Sequence, residues 1–376
     1  MKILIAPDKF KHALDAAGVA AAIADGVRAA RPDAEIVSCP LGDGGEGTGR
    51  VLAKVLGATE CAADVLDPLG REHTARWWQA ELDTALVEMA EASGLALLTP
   101  AERNALRTTS FGTGQVLRAA LAAGCTRVLL CVGGSATVDG GAGCLQALGW
   151  KFFDHAGAVL NVPITGGMLA TIGSVRPPAA PAANIEILCD VDNPLLGPRG
   201  AAAVFGPQKG ASPAAVAELE RGLAHWAALL ARLSGADVHA RPGMGAAGGL
   251  PFGLASACGA QLCRGFDEVA RRVELTNRLR GCDLCLTGEG RIDEQTVGGK
   301  VVAGVARLAA KECVPTIALV GAARLKPRQT LADLARAVGV RQIVCITPPG
   351  TPEDAALAAT AENLRRAVSA VLATSL

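Results

Sequence analysis

Residues 283–293 constrain the fold more than any other stretch of this 376-residue chain. A short apolar strand pattern over residues 283–287 runs into two glycines, two carboxylates and an arginine. A strand that ends in a glycine-rich, charged turn is typical of α/β proteins, in which ligands bind at the carboxyl ends of the strands. Further strand patterns end in glycine-rich or acidic loops, near residues 2–6, 35–39, 127–132 and 185–189. This repetition predicts an α/β enzyme.

The order of the predicted elements divides the chain into two domains, which its length also favours. Strands and helices alternate in residues 1–60 and 241–376, with helices near 253–263 and 353–372, as in an open flavodoxin-like or Rossmann-like parallel sheet. Residues 61–91 read instead as short strands joined by turns, which indicates an antiparallel meander. We therefore expect a discontinuous α/β domain (1–60 plus 241–376), an inserted mixed-sheet α/β domain (61–240), and an active site in the cleft between them.

Composition limits the class of protein. The chain has 36 Lys and Arg against 36 Asp and Glu, so it lacks the basic excess expected of a nucleic-acid or membrane-surface protein. Most of the 12 cysteines stand singly in apolar runs, where they act as small buried side chains rather than as disulfides or zinc ligands. Without a signal peptide or a long apolar run, we expect a cytoplasmic protein with small-molecule partners. A homodimer is compatible with this sequence.

The loop at residues 42–47 matches G-x-G-x-x-G between a predicted strand and a predicted helix. Asp43 and Glu46 would repel a pyrophosphate placed in that loop, which disfavours a dinucleotide site. A divalent cation would reverse the effect, so the loop could form part of a Mg²⁺-phosphate site. The alternative is a tight glycine turn with solvated carboxylates.

Two further glycine-rich stretches are candidate phosphate sites. In residues 133–141, glycines would let backbone N–H groups approach a phosphate, and Ser135 and Thr137 would add hydroxyl donors. Asp139 could cap the following helix or face a metal. The uncharged run at residues 242–249 is either an anion cradle or a hinge between domains.

Three other positions suggest chemistry. Asp190 and Asp192 follow an apolar strand and could bind a metal or accept a hydroxyl proton, or they could form an Asx turn before Pro194. Lys209 lies in a loop fixed by glycines and a proline, and Lys11 follows the first strand. Either lysine could contact an anion or stay solvated. The chain has no Walker A motif, no protein-kinase motif and no G-x-S-x-G elbow.

Together, these stretches resemble the type I glycerate kinases, collinearly over nearly the whole chain. The resemblance rests on the following segments: 6–11, 43–48, 67–71, 108–114, 133–143, 190–195, 205–210, 243–249 and 288–295. It implies two α/β domains, one of them flavodoxin-like, and ATP-dependent phosphorylation of D-glycerate with Mg²⁺, with the 2-hydroxyl favoured as acceptor. The chain departs from the usual family residues at Lys9, Phe111 and Val138.

For this reaction we assign roles to the candidate residues as a hypothesis. Phosphoryl transfer needs mainly positioning and charge neutralisation. The catalytic candidates are Lys11, Asp190, Lys209, Arg291 and Asp293, with Asp190 to orient or deprotonate the attacking hydroxyl and Asp293 to fix Arg291. Phosphate contacts would come from the following residues: Gly133, Gly134, Ser135, Thr137, Gly245 and Gly288. Mg²⁺ would bind Asp43, Glu46 and Glu289. The alternatives are a kinase of another small hydroxy acid and a non-catalytic ligand-binding protein on the same fold.

Overall fold

A computed structural model describes residues 1–81, 83–179, 184–292 and 301–374. Its strands, in chain order, are β1 Lys2–Ile5, β2 Glu35–Ser38, β3 Thr59–Leu66, β4 Glu72–Ala80, β5 Thr84–Glu88, β6 Arg127–Cys131, β7 Lys151–Asp154, β8 Ile172–Arg176, β9 Asn184–Leu188, β10 Gln261–Cys263, β11 Leu284–Ile292, β12 Thr316–Ala323 and β13 Gln342–Cys345. The α-helices are α1 Ala16–Ala30, α2 Thr48–Leu56, α3 Ala90–Ser93, α4 Phe111–Ala122, α5 Ala142–Ala147, α6 Ala201–Phe205, α7 Pro213–Ser234, α8 Leu250–Cys258, α9 Gly265–Arg272, α10 Leu275–Leu279, α11 Val301–Lys311, α12 Leu331–Val338, α13 Glu353–Ala358 and α14 Thr360–Thr374.

The chain forms two compact units. Unit 1 comprises Met1–Asp43 and Phe266–Leu376, and unit 2 comprises Gly44–Gly265. These borders differ from the predicted domain borders near residues 60 and 240. Helix α2 falls in unit 2 because it packs against β4 and β5, and β10 falls there because it pairs with β9.

Unit 1 is an open parallel sheet with strand order β13-β12-β11-β1-β2. Alternate side chains of its strands point to opposite faces, as in any pleated sheet. Ile317 and Leu319 of β12 pack in the same apolar cluster as residues of α1 and α14. Ala318 and Val320 of the same strand pack with residues of α11 and α12. Helices therefore cover both faces, and the predicted α/β class with an open parallel sheet is confirmed for this unit.

Unit 2 contains a mixed sheet with strand order β10-β9-β6-β5-β4-β3. The predicted antiparallel meander is confirmed, since β3 pairs antiparallel with β4 and β4 with β5. From β5 onward the neighbouring strands are parallel. The start of the long helix α7 follows from its sequence, since Ser is a favoured N-cap and Pro a favoured first residue: Pro213 is its first residue, and the Ser212 hydroxyl accepts a hydrogen bond from the Ala215 N–H.

Two predicted helices are wrong in part. The helix expected over 253–263 stops at Cys258, because Gly259 adopts a φ of 69° that ends it, and residues 261–263 form strand β10. The final helix expected over 353–372 is divided into α13 and α14.

Strand β11 also differs from its prediction. It does not end at residue 287 but continues to Ile292, so Gly288, Glu289 and Arg291 are strand residues. The reason is the long partner strand β12, which pairs with β11 as far as Ile292↔Ala323. The charged groups therefore stand on a rigid extension of the sheet rather than on a loop.

Candidate functional site

A cavity of about 810 Å³ lies at the carboxyl edge of the unit 1 sheet. It opens at the point where the strand order reverses, between β1 and β11. From β1 the chain continues to β2 on one side, and from β11 it continues to β12 and β13 on the other side. Open α/β sheets bind ligands at such switch points. The cavity lining includes the loop after β1, the end of β11 and the loop after β13.

One end of this cavity is charged. Its lining includes Asp8, Lys9, Lys11, Asp43, Glu289 and Arg291. Asp8 and Glu289 are buried, whereas Lys11 and Arg291 are exposed. The Lys9 ammonium lies 4.0 Å from an Asp43 carboxylate oxygen. The structure therefore brings together four of the predicted site residues, namely Lys11, Asp43, Glu289 and Arg291, and adds Asp8 and Lys9.

Glycines in β11 allow the loop after β1 to lie directly on that strand. The Asp8 N–H donates a hydrogen bond of 2.9 Å to the Gly288 carbonyl. A Cβ on Gly290 would lie 3.2 Å from the backbone nitrogen of Lys11, and one on Gly288 would collide with the Leu319 carbonyl oxygen. Close backbone approach is one of the reasons for glycine inside a strand. Gly288 therefore allows strand β11, which carries Glu289 and Arg291, to pack closely against strand β12.

In unit 2, the loop after β6 lies over a buried lysine. Lys209 is only 1% exposed, and its ammonium donates to the Ser135 hydroxyl at 2.6 Å and to the Thr137 carbonyl at 2.7 Å. The Thr137 hydroxyl is also buried and has no hydrogen-bond partner. Three predicted site residues, Ser135, Thr137 and Lys209, are thus in contact or linked by hydrogen bonds here. Lys209 is buried beneath the loop of residues 133–137 and holds it, rather than being solvated.

Burial controls the protonation of this cluster. It lowers the pKa of Lys209 to about 7, against the opposing effect of the Asp139 charge. It also raises the pKa of Asp139, although that carboxylate accepts hydrogen bonds from Ser110 and from the N–H groups of Gly141 and Gly143. Those bonds join Asp139 to the start of α5, which fits the capping interpretation.

The acidic loop before α2 packs on the same region. A Cβ on Gly133 would lie 2.5 Å from the backbone nitrogen of Glu46. A Cβ on Gly134 would lie 2.8 Å from a carboxylate oxygen of the same residue. Because both glycines lack a Cβ, Glu46 can lie against the loop after β6. Glu46 is itself exposed.

Glu88, at the end of β5, fixes this acidic loop. It is buried, and its two oxygens accept hydrogen bonds from the N–H groups of Gly47 at 2.8 Å and Arg50 at 3.0 Å. These N–H groups belong to the first turn of α2, which no side chain of its own caps. Burial raises the pKa of Glu88, and the two N–H bonds oppose that rise. Sequence reasoning missed Glu88, because it lies 41 residues from Gly47.

Replacing Glu88 by glutamine is expected to destabilise the protein by about 1–3 kcal/mol, the usual cost of an unsatisfied buried polar group. A glutamine has one acceptor oxygen, so its NH₂ group would face one of the two N–H donors. Chemical denaturation measures the effect. The control is Glu91→Gln, which removes only ion pairs to exposed arginines and should cost less than about 1 kcal/mol. Equal losses for both variants would contradict the capping role.

Two other predicted residues lie elsewhere in unit 2. An Asp190 carboxylate oxygen accepts a hydrogen bond of 2.8 Å from the Gly265 N–H, and the side chain is half-buried. Gly245 is buried, and its N–H donates to the Asn193 carbonyl at 2.9 Å, so that N–H is not available to an anion. A Cβ there would collide with Pro194, so close packing accounts for this glycine. Asp293 lies outside the described residues.

The fit of a divalent cation depends on oxygen ligands. Within residues 1–81, 83–179, 184–292 and 301–374 no group of three or more His, Cys, Asp or Glu side chains is arranged to hold a metal. Mg²⁺ in phosphoryl-transfer sites needs fewer protein ligands, because one or two carboxylates and the substrate phosphates suffice. Asp43 and Glu289 supply carboxylates to the same cavity, so these residues fit such an ion.

A charged cavity at the switch point of a parallel sheet defines an α/β protein suited to a small anionic ligand. The family model described as "Glycerate kinase family" matches residues 3–376. The chain is 43% identical to Glycerate 2-kinase of Escherichia coli K12 over 326 residues, or 85% of each chain. It is 39% identical to Glycerate kinase of Bacillus subtilis 168 over 371 residues, which are 97% of this chain and 95% of the relative.

A solved structure agrees with these matches. The crystal structure of a protein from Salmonella typhimurium LT2, described as glycerate kinase 2, aligns with a TM-score of 0.83 at 41% identity, covering 100% of this chain and 98% of the other. The chain belongs to the glycerate kinase family. The resemblance found in the sequence is thus confirmed, and the protein is an enzyme.

Within the described part of the chain, no helix combines the length and the apolar character needed to cross a membrane.

Proposed function

We propose that this protein transfers the γ-phosphoryl group of ATP to a hydroxyl of D-glycerate, with the 2-hydroxyl favoured. The observation that carries the proposal is the cavity at the unit 1 switch point, which combines cationic side chains for an anionic substrate with carboxylates for a divalent cation. The relative named Glycerate 2-kinase supports the choice of the 2-hydroxyl.

The cationic side chains of the cavity would position the reacting groups. Arg291 would bind the glycerate carboxylate or a phosphoryl group with two parallel hydrogen bonds, and Lys11 would contact a neighbouring oxygen. Asp43 and Glu289 would hold Mg²⁺, and Glu46 remains a further candidate. When bound, the ion would neutralise charge on the phosphate oxygens.

In the chemical step, the acceptor oxygen forms a bond to the γ-phosphorus as the bond from that phosphorus to the ADP oxygen breaks. The hydroxyl proton goes to Asp190, which we propose as the base. The loop of residues 133–137, held by Lys209, would offer backbone N–H groups and hydroxyls to phosphoryl oxygens. ADP and phosphoglycerate are the products.

The test is a coupled assay of ADP release with D-glycerate, followed by ³¹P NMR of the product. ADP release that depends on D-glycerate, with a 2-phosphoglycerate signal, is the expected result. Higher kcat/KM for tartronate or a related acid would indicate a kinase of another hydroxy acid. Glycerate binding without ADP release would indicate a non-catalytic ligand-binding protein.

Replacing Arg291 by lysine is expected to raise the KM for glycerate with little change in kcat, because lysine cannot make the forked contact. Initial rates over a range of glycerate concentrations measure the change. The matched control is Arg324→Lys, since Arg324 is also exposed but does not line the cavity. A glycerate KM that is equal in Arg291→Lys and wild type would remove Arg291 from this role.

A further inference from the structure

The unit 1 cavity is larger than a three-carbon acid requires. Its volume of about 810 Å³ lies in the range of roughly 300–1,000 Å³ typical of pockets for drug-sized ligands. D-Glycerate has only seven non-hydrogen atoms. Most of the cavity would therefore remain unfilled if the acid were its only ligand.

The lining divides into two chemically different ends. The charged end, described above, has three carboxylates (Asp8, Asp43 and Glu289) and three cations (Lys9, Lys11 and Arg291). The neutral end comes from the last residues of β12, the loop after β13, and α13. Apart from Glu353, the described residues of this end carry no charged side chain, and its lining includes Ala322, Ala323, Pro348, Thr351, Ala356 and Leu357.

The neutral end suits a nucleoside better than a hydroxy acid. Small apolar side chains can cover the flat faces of a base, whereas a small anion gains nothing from them. Glu353 also lines the cavity, from the start of α13. Its carboxylate can accept hydrogen bonds from ribose hydroxyls, as acidic residues do in other nucleotide sites of doubly wound sheets.

We propose that the neutral end of this cavity binds the base and ribose of the nucleotide, with the phosphates directed to the charged end. The proposal rests on the proposed use of ATP and assigns the nucleoside to unit 1. The charged end offers ligands to both parts of a nucleotide–metal complex: Lys9, Lys11 and Arg291 can contact phosphate oxygens, and the carboxylates can bind the accompanying divalent cation.

Photolabelling with 8-azido-ATP tests this assignment without turnover. Trypsin cleavage after Lys311, Arg324, Arg341 and Arg365 would release peptides 312–324 and 342–365, which carry the neutral end. We expect the label on one or both of these peptides, and excess ATP should suppress it. A label confined to other peptides would overturn the proposal.

A second measurement uses a matched pair of variants on α13. Ala356 lines the cavity, whereas its neighbour Ala355 is exposed and does not. Ala356→Trp should weaken the binding of a fluorescent ADP at least tenfold and leave the glycerate KM within twofold, whereas Ala355→Trp should bind ADP like the wild type. If Ala356→Trp fails to fold by circular dichroism, Thr351→Phe in the loop after β13 replaces it.

The possible results are distinct. Unchanged ADP affinity in the cavity variant, with or without a raised glycerate KM, would overturn the nucleotide assignment. Failure of the proposed function would instead appear in the wild type, as an absence of glycerate-dependent ADP release while nucleotide binding and labelling persist.

Discussion

Replacing Asp190 by asparagine is expected to lower kcat by about 10²–10⁴-fold, the usual effect of losing a general base. The amide cannot take the hydroxyl proton, but its carbonyl oxygen can still accept the hydrogen bond from the Gly265 N–H. The fold should therefore remain intact, and circular dichroism should match the wild type. Steady-state assays of ADP release with D-glycerate measure the change.

Asp192→Asn is the matched control for this variant. Asp192 lies two residues further along the same segment and is exposed. If Asp190 rather than Asp192 is the base, Asp192→Asn escapes the loss of about 10²–10⁴-fold and should leave kcat within about twofold. A near-normal kcat in Asp190→Asn, or an equal loss in both variants, would show that Asp190 is not the base.

Replacing Lys209 by methionine is expected to lower kcat/KM by about 10²-fold, the effect that a small misplacement of a binding loop can have. Methionine fills the buried space but cannot donate to the Ser135 hydroxyl or the Thr137 carbonyl. The loop of residues 133–137 would then lose its support. Lys311→Met is the control, since Lys311 is an exposed lysine at the end of α11.

The same variant has a pH signature that a purely steric change would not produce. Folding lowers the pKa of Lys209 to about 7, below the value of 10.5 for a solvated lysine. Between these two pH values the unfolded chain binds more protons, so this lysine makes the free energy of unfolding rise with pH. From pH 7 to 9 the wild type should gain about 2 kcal/mol relative to Lys209→Met. Parallel stability curves for the two proteins would contradict this expectation.

Much of the fold could be predicted because apolar periodicity is a local property of the sequence. The meander of residues 61–91 and the start of α7 follow from alternation and from the Ser212-Pro213 cap. The end of β11 could not be predicted in this way. A glycine after a strand pattern can mark either a turn or a strand position where another backbone approaches closely. At Gly288 the second explanation holds, because β11 remains paired with β12 there, and this pairing is not visible in the local sequence.

The candidate site shows the same division between local and long-range information. That Lys11, Asp43, Glu289 and Arg291 line one cavity could be predicted, because each lies near the carboxyl end of a strand in unit 1. The burial of Lys209 was not predicted, because it depends on a loop more than 70 residues away. The neutral end of the cavity was missed because residues 347–360 carry few charged or glycine-rich signals. The segment does follow strand β13, which is the clue that could have found it.

The central position of β1 in its sheet has a consequence for the order of folding. On the ribosome, β1, α1 and β2 emerge first, but β1 pairs with β11, whose first residue, Leu284, lies in the second segment of unit 1. At about 5–20 residues per second, the chain between them takes on the order of 10–50 s to synthesise. Unit 2 is continuous and is completed in that interval. We therefore expect the amino-terminal segment of unit 1 to stay without its partner strand β11, with apolar side chains accessible to chaperones, until the second segment of the unit has been made.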